Sequence, residues 1–317
     1  KDFETKTFDL QVLQQIGKSL KIDSSFVSST PSICKDPNNK NRLIVNLRYV
    51  NYKINDKGDY INQSKIITKN FIAYIDMRKN SWQIDTTNIS ELKYNTDYDN
   101  LYVGLEDVRI MGHGGKLYFN ANRGLDYGKM VIEHGTINIK SKSTMSNILE
   151  IDGQRTIEKN WVMFENAGRE LKMIYGWYPL RIGSVINHPD SKIDEKNNPV
   201  MKMLVTHEYQ TPNFFRWLRG STNGQIVGDE IWFICHLVSY EDRRYYYHIF
   251  VALDKKSMEL KRYSRIFTFE KEKVEYTLGF VYLEESDEFL IGYSLSDKET
   301  KYMTISKNKV EELFYLA

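Results

Sequence analysis

The chain is short of cysteine, proline and net charge, and each shortage closes off a class of protein. Cys34 and Cys235 are its two cysteines, and neither stands at metal-ligand spacing to another cysteine or to a histidine. That argues against a zinc site and against a disulfide framework, leaving two buried free thiols in a cytoplasmic protein as the expectation. With 44 Lys+Arg against 42 Asp+Glu the net charge is +2, too little for a general nucleic-acid binder. No apolar run reaches transmembrane length, and no signal-peptide pattern opens the chain at Lys1-Asp2-Phe3. The first residue is Lys1 rather than Met, as expected of a fragment or a trimmed chain. P-loop, dinucleotide fingerprint and nucleophile elbow are all missing, so neither a bound cofactor nor a serine triad has a starting point in the sequence. No metal is expected either.

What the chain has in quantity is aromatic side chains: 22 Tyr and 15 Phe beside 6 Pro. That balance favours strands. At 317 residues it can bury a sizeable core as one large domain or two ordinary ones. Leu10, Leu13, Ile16 and Leu20 fall at roughly helical spacing behind Asp9, a good N-cap, and predict a short N-terminal helix. Residues 1–22 therefore read as a helical extension and 23–317 as the main domain. From there on, turn signals such as Asp56-Lys57-Gly58, Gly112-His113-Gly114-Gly115 and Asp152-Gly153 punctuate short strands. Residues 187–198, flanked by Pro189 and Pro199, read as an exposed loop.

An internal repeat organises this all-β sequence. A polar or charged cluster leads into a short strand, a turn and then a strongly apolar strand. The copies start at Thr30-Pro31-Ser32-Ile33, Glu106-Asp107-Val108-Arg109-Ile110, Glu158-Lys159-Asn160-Trp161-Val162, Ser221-Thr222-Asn223-Gly224 and Val274-Glu275-Tyr276-Thr277. Their separation, roughly fifty to seventy-five residues, suits a four-stranded propeller blade with long loops. The expected fold is a five-bladed β-propeller, with a β-sandwich as runner-up that leaves the repeated cluster unexplained. In a propeller the innermost strands line one axial channel, so the clusters would converge.

Convergence would collect Glu106, Asp107, Glu158, Glu275 and Asp297 as acids, and Arg48, Arg109, Arg123, Lys159, Arg219 and His236 as bases. Trp161, Trp177, Tyr178 and Tyr276 would add flat faces. Carboxylates and aromatic faces suit sugar rings, and clustered Lys, Arg and His suit phosphate. Singly, each residue has a plainer reading. Asp107 and Arg109 make a surface pair, Trp161 and Trp232 belong in the core, and His236 closes an apolar strand as a structural histidine. Arg243-Arg244 with Tyr245-Tyr246-Tyr247 reads as a loop entering an outer strand rather than as a nucleic-acid patch.

Gly104-Leu105-Glu106-Asp107-Val108-Arg109-Ile110 resembles the Gly-Val-Glu-Asp-Pro-Arg-Ile signature of glycoside hydrolase family 130, the β-mannoside phosphorylases and related β-mannosyltransferases. Val108 replaces the signature proline. The segments Glu158-Lys159-Asn160-Trp161, Ile231 to His236 and Tyr293 to Asp297 are similar to later family segments in the same order. The resemblance implies a five-bladed propeller in which Asp107 protonates the glycosidic oxygen and phosphate attacks directly, with inversion. It makes Lys159 and His236 phosphate contacts, Arg109 and Arg123 further anion-binding candidates, and Asp297 a sugar contact. Arg48, Glu106, Trp161 and Tyr276 complete the expected sugar site.

The activity expected is glycosyl transfer, with a mannosyl unit in view, between a sugar phosphate or nucleotide sugar and a glycan acceptor. Transfer and reversible phosphorolysis make the same demand, a proton donor or acceptor beside an anion site. A non-catalytic glycan- or protein-binding propeller is the first alternative. A glycoside hydrolase is the second, kept open by Glu158 and Glu275, either of which could act on water.

Overall fold

Strands such as Arg42–Val50 and Glu230–Tyr240 are buried along nearly their whole length, so both of their faces must be covered. Period two divides those faces between different cores: Leu43, Val45 and Leu47 enter one apolar cluster, while Ile44 enters another. Ile231, Phe233 and Cys235 likewise part from Trp232 and Ile234. Each sheet is therefore sandwiched between two neighbours.

The computed structural model describes residues 6–7, 11–16, 25–57, 59–61, 64–79, 82–125, 128–240 and 244–314, and it is nearly all β. The first sheet is built on Arg42–Val50 paired with Ile66–Asp76, with Ser32–Lys35 on its inner edge. An eight-stranded sheet follows, made of two antiparallel meanders. One runs Glu106–His113, Lys116–Gly124, Met130–Asn138, Ser143–Glu150; the other runs Val162–Glu165, Leu171–Trp177, Leu180–Asn187, Met201–Tyr209. They are joined at their outer edges by a parallel pairing of Leu149 with Met201 and Glu150 with Lys202. A third sheet centres on Glu230–Tyr240 and Arg244–Asp254, and a fourth on Glu275–Leu283, Glu288–Leu295 and Glu299–Ser306.

The apolar clusters tie these units in sequence. One lies between the first sheet and the first meander, another between the two meanders, and the next two continue to the third and fourth sheets. A fifth, with Leu43 and Val45 against Leu290 and Tyr302, returns from the fourth sheet to the first and closes the cycle. Thr30 and Ser294 reinforce this closure through a buried 2.6 Å hydroxyl contact.

The N-terminal helix expected over residues 9–20 is not what the described part of that segment forms. Gln11–Ile16 is a strand, paired antiparallel with Glu299–Ser306 from Gln11 opposite Thr304 to Ile16 opposite Thr300. The reason is the edge. The fourth sheet has three strands of its own, and Glu299–Ser306 would otherwise leave a row of backbone groups unpaired. Pairing there outweighs the local helical spacing. Residues 9, 10 and 17–20 of the expected helix lie outside the described residues. Cys34 and Cys235 are buried free thiols, and among the described residues no helix is long and apolar enough to cross a membrane.

Candidate functional site

The strand Glu106–His113 begins with an irregularity. Glu106 pairs with Asn122 and Arg109 with Asn120, so two residues on one strand oppose a single residue on the other. Asp107 sits in this bulge with φ +52°, a left-handed conformation that aspartate tolerates better than most residues. Val108 then turns into the core at 0% exposure, and Asp107 faces a cavity of about 300 Å³.

Arg48, on the neighbouring Arg42–Val50 strand, holds that carboxylate. Its Nη1 donates to Asp107 Oδ1 at 2.9 Å, and its Nη2 donates to the Tyr52 hydroxyl at 3.0 Å and lies 3.5 Å from Glu106 Oε1. Asn122 Nδ2 donates to the other Asp107 oxygen at 3.4 Å. Asp297, at φ +50° in the turn before Glu299–Ser306, closes the cavity and accepts from Ser29 Oγ at 3.0 Å. Burial raises the carboxyl pKa values of Glu106 and Asp297 above the ordinary range, with Arg48 opposing it in both.

The same cavity takes in Lys159, His236 and Tyr276. Lys159 is exposed. His236 is buried, its Nδ1 2.7 Å from Ser221 Oγ. Burial first, then His248 and the cations Arg109, Lys159 and Arg219, hold its pKa well below the usual histidine value. It therefore meets a ligand as a neutral imidazole, a directional hydrogen-bond partner rather than a fixed charge. Its ring lies 5.0 Å from Tyr276, and Tyr246 stands 6.1 Å from Tyr276. Burial pushes the Tyr246 hydroxyl up to about 12 and raises that of Tyr276 as well, so both stay protonated donors at neutral pH.

Arg219, Trp177 and Tyr178 do not line the cavity, and three of the residues assigned a role in the site lie elsewhere as well. Arg109 is 1% exposed and sits behind the wall, donating to the Ser221 carbonyl at 2.8 Å, the Gly220 carbonyl at 3.2 Å, Asn160 Oδ1 at 3.3 Å and the Tyr276 hydroxyl at 3.1 Å. Among the described residues it has no carboxylate partner, so its charge acts on the cavity through the side chains it holds. Arg123 is enclosed between Glu133 and Asp99 at 2.9 and 3.0 Å and does not line the cavity. Trp161 is core, packed edge-on against Tyr175 at 5.2 Å, because the residue after left-handed Asn160 turns inward.

Glu158 and Glu275 are also committed to structure. Glu158 accepts from the Arg155 amide at 2.7 Å, Trp161 Nε1 at 3.2 Å and the Tyr175 hydroxyl at 2.9 Å. Glu275, fully buried, accepts from the amides of Phe269, Glu270 and Glu272 at 2.7, 2.6 and 3.2 Å. Neither lines the cavity.

The cavity also contains residues that sequence reading passed over: Tyr52, Asn160, Arg244, Tyr246, Met130 and Ile157. Arg244 and Tyr246 belong to the strand Arg244–Asp254, not to a loop entering an outer strand, and that strand pairs directly with Glu230–Tyr240. The signal was present in the alternation Arg244, Tyr246, His248, which puts three polar or amphipathic side chains on one face.

No protein-family model matches the chain, and no curated protein does. Solved structures do. A β-1,2-mannobiose phosphorylase from Listeria innocua, in complex with β-1,2-mannobiose, superposes with a TM-score of 0.59 at 11% identity, covering 96% of this chain and 99% of that one. A GDP-Man-dependent mannosyltransferase from Leishmania mexicana gives 0.53 at 11% identity over 90% and 87%. A structure described with the GH130 glycoside hydrolases that target β-1,2 mannosidic linkages in Candida mannan gives 0.53 at 10% identity over 89% and 85%. The chain has a GH130-like fold. Phosphorolysis, transfer and hydrolysis all occur among these neighbours, so chemistry has to be argued from the side chains.

Proposed function

We propose that the chain is an inverting carbohydrate-active enzyme on a five-bladed propeller, moving a glycosyl unit between a sugar phosphate or nucleotide sugar and an acceptor hydroxyl. A mannosyl unit is the first candidate. The carrying observation is that Asp107, Lys159 and His236, supplied by three different β units, line one cavity. Support for five blades comes from the closed cycle of five apolar clusters.

In this reading Asp107 passes its proton to the glycosidic oxygen, or takes one from the acceptor hydroxyl in the reverse direction. Arg48 and Asn122 fix both of its oxygens, so its aim is set before substrate arrives. Lys159 supplies mobile positive charge for the phosphate, and neutral His236 a hydrogen bond to it. Asp297 and Glu106 accept from sugar hydroxyls, and Tyr246 and Tyr276 offer ring faces and hydroxyl donors. Because the phosphate oxygen is itself the nucleophile, no base for water and no covalent glycosyl-enzyme are required.

Hydrolysis is the second reading, favoured by the two further carboxylates, Glu106 and Asp297, that share the cavity with Asp107. The test is thermal stabilisation by inorganic phosphate, mannose 1-phosphate, GDP-mannose and UDP-glucose, each measured separately. Stabilisation by phosphate points to phosphorolysis and by a nucleotide sugar to transfer. No response to any of the four, with release of free sugar from a mannoside, would replace this reading by hydrolysis.

A further inference from the structure

A second cavity, of about 710 Å³, lies behind one wall of the first. Adjacent residues divide between the two sides: Lys129 and Thr156 face the second cavity, while Met130 and Ile157 face the first. That wall is firmly set. The Met130 amide donates to the Thr156 carbonyl at 3.0 Å, and the Glu158 amide donates to the Met130 carbonyl at 3.0 Å. Its rim carries Ile157, 53% exposed, an apolar side chain held at the mouth of a polar site.

The far side of this cleft joins two loops from different parts of the chain. Tyr98, from the first sheet, bonds through its hydroxyl to the Asp194 carboxylate and accepts from Asn198 Nδ2 at 2.8 Å. Beneath them Arg123 lies 5.1 Å from the Tyr98 ring centroid and donates to the Asn95 carbonyl at 2.7 Å and to Asp99 at 3.0 Å. The fully buried arginine thus anchors the cleft wall. The lining mixes carboxylates and lysines with Gln154 and with apolar Ile193 and Val131. Paired carboxylates disfavour a polyanion and the lysines disfavour a lipid chain. Interspersed hydrogen-bonding and apolar surface matches successive sugar rings, whose edges carry hydroxyls and whose faces are C–H.

We propose that the acceptor, or in the reverse direction the glycan being shortened, is an oligosaccharide of at least three sugars. It runs from the catalytic cavity over Ile157 into this cleft. The proposal rests on the enzymatic reading above. It is tested by titration calorimetry on the full chain carrying Asp107→Asn, with two ladders as probes: β-1,2-linked manno-oligosaccharides and xylo-oligosaccharides, each of two to six sugars. The expected result is affinity rising about tenfold from two sugars to four or five in one ladder, then levelling. Gln154→Trp, which fills the cleft from a turn, and Ile193→Ala should flatten that rise and leave disaccharide binding unchanged. Affinity independent of length, a rise that survives Gln154→Trp, or no binding by either ladder would each overturn the proposal. The enzymatic reading fails on different grounds, if Asp107→Asn retains full turnover.

Discussion

Arg48 and Arg123 are both buried, and each faces two carboxylates, yet they are put to opposite uses. Arg48 meets Asp107 through Nη1 and Glu106 through Nη2 at the edge of open volume, with the Tyr52 hydroxyl also accepting from Nη2. Arg123 meets Asp99 and Glu133 with side-chain exposures of 6% or less on all three, and the guanidinium itself lines no cavity. An arginine between two acids does not by itself mark a site. The space left beside it does, and that space is set by the bulge at Asp107 and the turn at Asp297.

The largest effect that would sharpen this contrast belongs to Asp107→Asn. Loss of a positioned proton donor should lower turnover about 10²–10⁴-fold while the melting temperature stays within a few degrees of the parent protein. A large fall in melting temperature would instead put Asp107 with Arg123 among the structural residues. Arg123→Ala should show the reverse pattern. Stranding two buried carboxylates should cost about 3–5 kcal/mol in chemical denaturation. Purified protein that remains folded should still be stabilised by the same sugar phosphate.

Lys159→Ala comes next. An exposed cation can be removed without disturbing the core, so stability should hold while the phosphate or sugar-phosphate KM rises about tenfold or more with a smaller change in kcat. Unaltered KM would remove Lys159 from the anion site.

Smallest is the pH effect of Asp297. Its folded pKa is raised above the unfolded value, so between the two the native state holds a proton that the unfolded chain has lost. Stability from this group is therefore full below the unfolded pKa and declines as pH rises through the folded one. Asp297→Asn should raise the melting temperature by a degree or two at pH 7 and leave it unchanged at pH 4. Equal shifts at both pH values would mean that the carboxyl titrates normally.

The ring of repeats was readable because each inner strand opens on polar residues and then turns apolar, as at Glu106-Asp107 before Ile110 and at Lys159-Asn160 before Val162. Seven expected residues reach one cavity for that reason. Arg109 and Trp161 do not, because a one-residue change in backbone direction, at Val108 or after Asn160, sends a side chain behind the wall. Arg123 does not because it stands on the second strand of its meander, in regular register opposite Val131 and held by Glu133 and Asp99. No composition or spacing argument sees such a change. Glu158 and Glu275 were illegible for another reason: a carboxylate that collects backbone amides looks, in a sequence, like one that collects substrate. The strand at Gln11–Ile16 was missed because its partner lies at the other end of the chain, and local spacing carries no trace of a distant edge.

That last pairing has a consequence for how the molecule is made. On the ribosome the fourth sheet must wait as an unfinished, sticky border until residues 11–16, synthesised first, come back to it. Contacts of such long sequence separation form late. Deleting those six residues should leave the cavity at Asp107 untouched and yet convert a well-behaved protein into one that joins its neighbours border to border.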